Sequence, residues 1–210
     1  RAAAAALDAD TQWQLLCATL PTGASLLGWS LGGQWALRAA REMPGRLRAL
    51  VLVHTTPRFV SGGDWTHGVT PAVMAGFGAQ LQQDLAGCLG DFLTLQLRGE
   101  RGAAPAPQQL RDRLMLHGHT DESVLARGLK QLSEHDLRAG CAHVTTPALV
   151  VAGQHDRITP PAAARALAAA LPAAQYLEIA RAAHLSFLSH PDAFVAALRA
   201  FLFAHSRQAA

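Results

Sequence analysis

No apolar run in this sequence reaches the ~18 to 20 residues that a helix needs to cross a bilayer, so no membrane partner is expected. Cysteine is scarce: Cys17, Cys88 and Cys141 are odd in number and widely spaced. That excludes a disulfide framework and a zinc motif, and it fits free thiols in a reducing cytoplasm. Lysine is nearly absent, with Lys130 alone, so arginine carries the positive charge. The net charge of +3 is small and scattered, which argues against a nucleic-acid partner. The opening stretch Arg1–Ala6 lacks the apolar region and cleavage site of a signal peptide. No internal repeat is visible, and residues 99–107 (GERGAAPAP), the one low-complexity patch, read as a solvated loop.

What is present is a chain of 210 residues, half of them apolar, enough for one domain with a sizeable core. Residues 2–19 read as a helix, with Leu7, Trp13, Leu16 and Leu20 near one face and Pro21 beyond its end. Ala24–Trp29 is an apolar run of strand length, and a helix is expected over Gln34–Glu42. Leu50–Val53, Ala148–Ala152 and Tyr176–Ile179 are further apolar β-type runs. Continuous apolar runs suit strands buried on both faces. Helical patterns follow at Pro161–Leu171 and Pro191–Phe203. Strands alternating with helices predict an α/β fold with a mostly parallel sheet. Residues 57–145 break that rhythm and read as an inserted helical cap. Residues 1–56 and 146–210 then form the core.

Gly28-Trp29-Ser30-Leu31-Gly32 fits G-x-S-x-G and stands between an expected strand and an expected helix. A nucleophile elbow must sit there, with a strained backbone that lifts the serine hydroxyl clear of the strand tip. Small residues at Gly28 and Gly32 would let the turn close. The Leu31 N–H, at the helix start, would be one oxyanion donor. An ordinary strand-to-helix turn with a serine N-cap is the plainer reading.

A serine nucleophile needs a base, and the base needs an orienting acid. In elbow-bearing hydrolases the order along the chain is Ser, acid, His. Asp156 follows the strand Ala148–Ala152, and His184 follows the next strand. Both therefore reach the C-terminal edge of the sheet beside Ser30. His54 also follows a strand, but it precedes the acid and is set aside. His117 and His119 have no partner at a metal spacing, His155 points away if Asp156 points in, and His190 is expected to cap the last helix. No metal and no cofactor are expected. Asp64, Asp91 and Asp136 read as solvated residues of the cap.

With these residues in place the chain resembles the α/β-hydrolases. Among them it is most similar to the carboxylesterase family that hydrolyses the methyl ester of pimeloyl-acyl-carrier protein in biotin synthesis. The resemblance rests on GWSLGG at residues 28–33, Asp64-Trp65, Ala75-Gly76-Phe77, FLTLQ at 92–96, Ala182-Ala183-His184 and Ser189-His190-Pro191. It implies an α/β-hydrolase fold with an inserted cap, and attack by Ser30 on the ester carbonyl with His184 as base. It also implies that Trp29 and Phe92 line the oxyanion region and acyl pocket, and that cap arginines hold the acidic carrier protein. Arg98, Arg101, Arg111 and Arg113 are the candidates, although Asp91 stands before Phe92 where a basic residue is expected. The family begins with strands and a His-Gly-Trp-Gly type loop that have no counterpart before Ser30. The resemblance thus implies missing N-terminal strands, a missing second oxyanion donor, and a monomer at full length.

Three other functions fit parts of the pattern. A general short-chain carboxylesterase shares the triad. A C–C bond hydrolase of aromatic-ring breakdown also has a helical cap, but no polar site for its substrate is evident. A non-catalytic α/β-hydrolase-like binding protein would usually lack a triad member, and here all three are present.

Overall fold

The computed structural model describes residues 8–100, 109, 110, 112 and 122–206. Its described elements run in the order α1 (Ala9–Thr19), β1 (Ala24–Trp29), α2 (Leu31–Glu42), β2 (Leu47–Val53), α3 (Pro71–Gln83), α4 (Leu85–Gln96) and α5 (Glu122–Glu134). A 3-10 turn (Arg138–His143) leads to β3 (Ala148–Gly153), α6 (Pro161–Ala170), β4 (Ala174–Ile179), α7 (Ser186–Ser189) and α8 (Pro191–Ala204). The four strands form one parallel sheet in the order β1-β2-β3-β4.

Alternation along β2 shows how the layers form. Successive strand residues point to opposite faces. Leu50 and Leu52 join a cluster with Leu37 and Ala40 of α2, Val150 of β3 and Leu167 of α6. Ala49, Val51 and Val53 join the other, with Leu149, Val151, Ile179, Phe194 and Phe201. Helices α2 and α6 therefore cover one face and α8 covers the other. Both faces of β2 and β3 are buried, which explains their unbroken apolar runs. β1 lies at an edge of the described sheet, with Leu27 at 45% exposure.

Helix α1 starts at Ala9, where the Asp8 carboxylate accepts from Thr11 N–H as an N-cap. It docks on α2 through Trp13 stacked on Trp35, with the Arg38 guanidinium 4.1 Å over the Trp13 ring. The expected start of that helix, residues 2–7, lies outside the described residues. β2 begins at Leu47 rather than Leu50, because the half-buried Arg48 hides the first part of the strand's apolar pattern.

Between β2 and β3 the described elements are helical. Phe77 of α3 meets Phe92 of α4 with ring centroids 5.5 Å apart. The approach to this segment is tied down by charge. Arg138 pairs with Asp64 and Asp136, Arg58 pairs with Asp136, and Trp65 Nε1–H donates to the Arg58 carbonyl. Asp64 and Asp136 are thus ion-pair partners and not merely solvated. Asp91 accepts from Gln80 Nε2–H across α3 and α4.

The two glycines expected to close the elbow have unequal tasks. A Cβ on Gly28 would strike the Gly32 carbonyl oxygen and lie 2.7 Å from Gly33 Cα, both of them backbone. A Cβ on Gly32 would meet nothing within 4 Å among the described residues. Gly33 is the second tight position, because its Cβ would lie 2.5 Å from Thr55 Cβ. This packing lets α2 begin at Leu31 and include the Gly32-Gly33 pair, which the sequence suggests as a break before Gln34. Gly28→Ala should lower stability by about 1–3 kcal/mol or more. Gly32→Ala should leave it unchanged or raise it by up to ~1 kcal/mol through helix propensity. Urea unfolding of both variants, read as midpoint shifts at constant slope, measures the contrast.

Candidate active site

The parallel sheet brings the ends of all four strands to one edge, and the chain turns sharply there. Ser30 after β1 (φ 54°), His54 after β2 (φ 47°) and Arg181 after β4 (φ 62°) all adopt positive φ. Non-glycine residues rarely do so, and such strain gathers at functional sites. Ser30 N–H donates to the Val53 carbonyl at 2.9 Å, and Thr55 Oγ1–H donates to the Ser30 carbonyl at 2.7 Å. The elbow is thereby locked to the end of β2. Ser30 occupies the N-cap position of α2, yet its side chain makes no cap hydrogen bond. The plainer reading of Ser30 as a simple helix cap therefore does not describe it.

Asp156 and His184 come together as expected. Asp156 Oδ2 lies 2.8 Å from His184 Nδ1, and both side chains are almost fully buried. The same carboxylate holds four more donors. Oδ1 accepts from the Ile158 and Thr159 N–H groups, each at 2.9 Å. Oδ2 accepts from Thr159 Oγ1–H at 2.8 Å and faces His54 Nδ1 at 2.9 Å. Burial pushes the Asp156 carboxyl up, but the electrostatic pull of His184 and the hydrogen bonds from His184 and His54 outweigh it. The net effect holds the group well below the usual carboxylate range. Among the described residues His184 Nε2 is buried without a hydrogen-bond partner, so its lone pair is uncommitted there. Such a nitrogen on a carboxylate-oriented ring is what a general base requires.

The loop carrying His184 is braced from three directions. Trp29 Nε1–H donates to the His184 carbonyl at 3.2 Å, and its ring sits 5.5 Å from the imidazole. His184 N–H donates to the Gln96 carbonyl at the end of α4. Ala183 N–H donates to Glu100 Oε2 at 2.9 Å. His155 Nδ1 meets the Gly99 carbonyl at 2.6 Å, so this ring turns away from the acid. Gly99 and Glu100 were expected to open a solvated loop. Instead they pack on the histidine and acid loops, and the Glu100 side chain is only 6% exposed. His190 does not cap α8 with its side chain; its Nδ1 pairs with Ser189 Oγ at 2.8 Å.

Leu31 is the first residue of α2, where N–H groups have no intrahelical acceptor. Phe92 packs on Phe77 within the helical segment. Arg98 is exposed. Arg101, Arg111 and Arg113 lie outside the described residues, as do His117 and His119. A recess of about 480 Å³ opens between α3 and α5, lined by Met74, Leu81, Leu129 and others. Ser30, Asp156 and His184 are not among its lining residues, so it belongs to the helical segment.

Sequence reasoning passed over His54. It sits at the tip of β2, and its ring lies 5.3 Å from that of His184. His54, Asp156 and His184 also form a group whose potential ligand atoms lie within 4.8 Å of one another. Those atoms are already bonded to one another, both Nδ1 atoms facing the same carboxylate oxygen.

The model of the alpha/beta hydrolase fold family matches residues 3–191, and the chain belongs to that family. It is accordingly a hydrolase. A pimeloyl-[acyl-carrier protein] methyl ester esterase of Stenotrophomonas maltophilia is 44% identical over 179 residues, spanning 85% of this chain and 69% of that protein. A protein of the same name from Xanthomonas oryzae pv. oryzae is 40% identical over 189 residues, spanning 90% of this chain and 74% of the other. Among solved structures, a hydrolase from Pseudomonas aeruginosa superposes with a TM-score of 0.74 at 30% identity, over 92% of this chain and 69% of that one. An esterase from Exiguobacterium antarcticum has the same fold, with a TM-score of 0.81 at 20% identity over 92% and 71%.

The buried His54 links folding to pH. Burial, partly offset by the Asp156 hydrogen bond, lowers its basicity below the ordinary value of 6.5. The unfolded chain therefore binds this proton more readily than the folded one. Stability should be greatest above about pH 6.5 and should decline as pH falls below it. His135, also lowered by burial, acts in the same direction. Thermal unfolding across about pH 5 to 8 should show this slope, and His54→Asn should flatten it in part.

Proposed function

We propose that this chain is a serine carboxylesterase acting on the methyl ester of a pimeloyl group carried by acyl-carrier protein, in the cytoplasm, during assembly of the biotin precursor. The observation that supports it most is the pairing of two facts. Relatives 40–44% identical over most of the chain bear that name, and Ser30, Asp156 and His184 follow strands β1, β3 and β4 at one edge of the parallel sheet, with Asp156 bonded to His184 Nδ1.

In this reading Ser30 Oγ attacks the ester carbonyl while His184 Nε2 takes its proton. Asp156 keeps the His184 proton on Nδ1 and stabilises the imidazolium that forms. The Leu31 N–H donates to the oxyanion. His184 then protonates the methoxy oxygen and methanol leaves. A water, deprotonated by His184, attacks the acyl-enzyme; its collapse releases the free carboxylate and restores Ser30. Residues 57–145 serve as a cap over this edge, with Trp29 and Phe92 near the acyl chain. The exposed Arg98, with Arg101, Arg111 and Arg113, attracts the acidic carrier.

A fluorophosphonate should label Ser30, and Ser30→Ala should abolish both labelling and turnover. His184→Ala and Asp156→Asn should each lower kcat by roughly 10³- to 10⁴-fold, with the double variant little worse, because the triad acts as a unit. Unchanged turnover in Ser30→Ala would end this reading. Arg98→Glu should weaken hydrolysis of the carrier-linked ester and its salt dependence while sparing a small free methyl ester. Equal losses on both substrates would instead support a general short-chain esterase.

A further inference from the structure

The reaction above leaves one buried group without a task. His54 is 1% exposed and held in the left-handed region at the tip of β2. Both of its ring nitrogens are engaged: Nδ1 lies 2.9 Å from Asp156 Oδ2, and Nε2 lies 2.7 Å from Ser186 Oγ. An ionised carboxylate can only accept. His54 must therefore carry its proton on Nδ1, which leaves Nε2 to accept from the Ser186 hydroxyl. Ser186 opens α7, two residues beyond His184. One imidazole thus spans the acid and the loop that carries the base.

We propose that His54 is a positioning residue for the acid–base pair, a neutral strut that donates to Asp156 and accepts from Ser186, so that the carboxylate stays ionised and aimed at His184 Nδ1. The proposal rests on the serine-esterase reading for what the pair does. Its geometry does not, because both hydrogen bonds are present whatever the substrate. Burial and the neighbouring His184 favour a neutral ring, and they outweigh the pull of the Asp156 and Glu100 carboxylates toward a protonated one. Asp156 and Ser186 bond it directly, the His184 ring lies beside it, and Glu100 acts on it from further away. A proton on His54 would have to be carried in a buried site. His54 is not a spare base either, since its Nε2 is committed to Ser186.

The donation has a chemical consequence. Each hydrogen bond received by Oδ2 draws electron density from the carboxylate. Without the bond from His54, Asp156 would stabilise a protonated His184 more strongly. The acidic limb of the kcat/KM profile reports protonation of the essential base in the free enzyme, and it should then move to higher pH.

The test uses His54→Ala and His54→Asn. Asparagine tolerates positive φ and can place an N–H near the position of Nδ1. With a small methyl ester, His54→Ala should lower kcat roughly tenfold, leave KM nearly unchanged, and raise the acidic limb by roughly half a pH unit. His54→Asn should return the limb to its wild-type position and recover most of kcat. A residue that only fills space would give a different result. Both variants would keep the wild-type limb, and His54→Leu would serve better than His54→Asn.

Histidine ¹⁵N NMR of the unaltered chain gives a second answer that does not depend on a variant folding or on turnover. It should show His54 neutral with its proton on Nδ1 at neutral pH, and Ser186→Ala should perturb the Nε2 resonance. A proton on His54 Nε2, or an acidic limb that stays put in a folded His54→Ala, overturns the proposal. Failure of the esterase reading would appear separately, as turnover that survives Ser30→Ala.

Discussion

The ionised Asp156 carboxylate, sealed from water, is the constraint around which this site is built. A buried charge is costly unless it is fully hydrogen-bonded. Here five donors converge on two oxygens: two backbone N–H groups, the Thr159 hydroxyl and two imidazole N–H groups. Each donor comes from a segment that the parallel sheet delivers to the same edge. The Ile158 and Thr159 amides follow β3, His54 follows β2, and His184 follows β4. Loss of β2, β3 or β4 from its register would unmake the shell.

The sheet and the carboxylate therefore depend on one another. The apolar clusters on its two faces hold β2 and β3 together, and Val53 pairs with Val151 at their ends. That register sets His54 next to the loop carrying Asp156. The elbow is fixed by the same logic, since Ser30 N–H bonds to Val53 at the end of the neighbouring strand. Gly28 and Gly33 allow α2 to cross close over this junction. The end of α4 adds an outer brace, with Gln96 and Glu100 holding the backbone on either side of the Ala183–His184 peptide. The helical segment thus supports the His184 loop directly.

Much of this was legible in the sequence, because the determining signals are local. G-x-S-x-G between an apolar run and a helix marks the sharp turn at Ser30. Asp156 and His184 follow consecutive apolar runs, so they must emerge at one edge of a parallel sheet. Other features depend on contacts between distant residues and leave no local trace. The order of acid and histidine along the chain sets His54 aside, a rule that points to one acid–histidine pair but is silent on what else bonds the acid. Its visible signal was its place immediately after an unbroken apolar run, the same signal that marks Asp156. Glu100 lies in a Gly/Pro-rich patch whose composition suggests solvent, yet its carboxylate is buried against Ala183 N–H. Gly32 and Gly28 look equivalent in the motif, and only the path of α2 shows that Gly28 alone meets backbone.

Asp156 remains a carboxylate inside the folded protein because five donors hold it so. The decisive experiment follows the Asp156 side-chain carboxyl by ¹³C NMR during an acid titration of the folded chain. Its resonance should stay at the ionised position to well below 3.8, the ordinary value of an aspartate, and any change should coincide with unfolding. A titration midpoint at or above that ordinary value, with the fold intact, would contradict it.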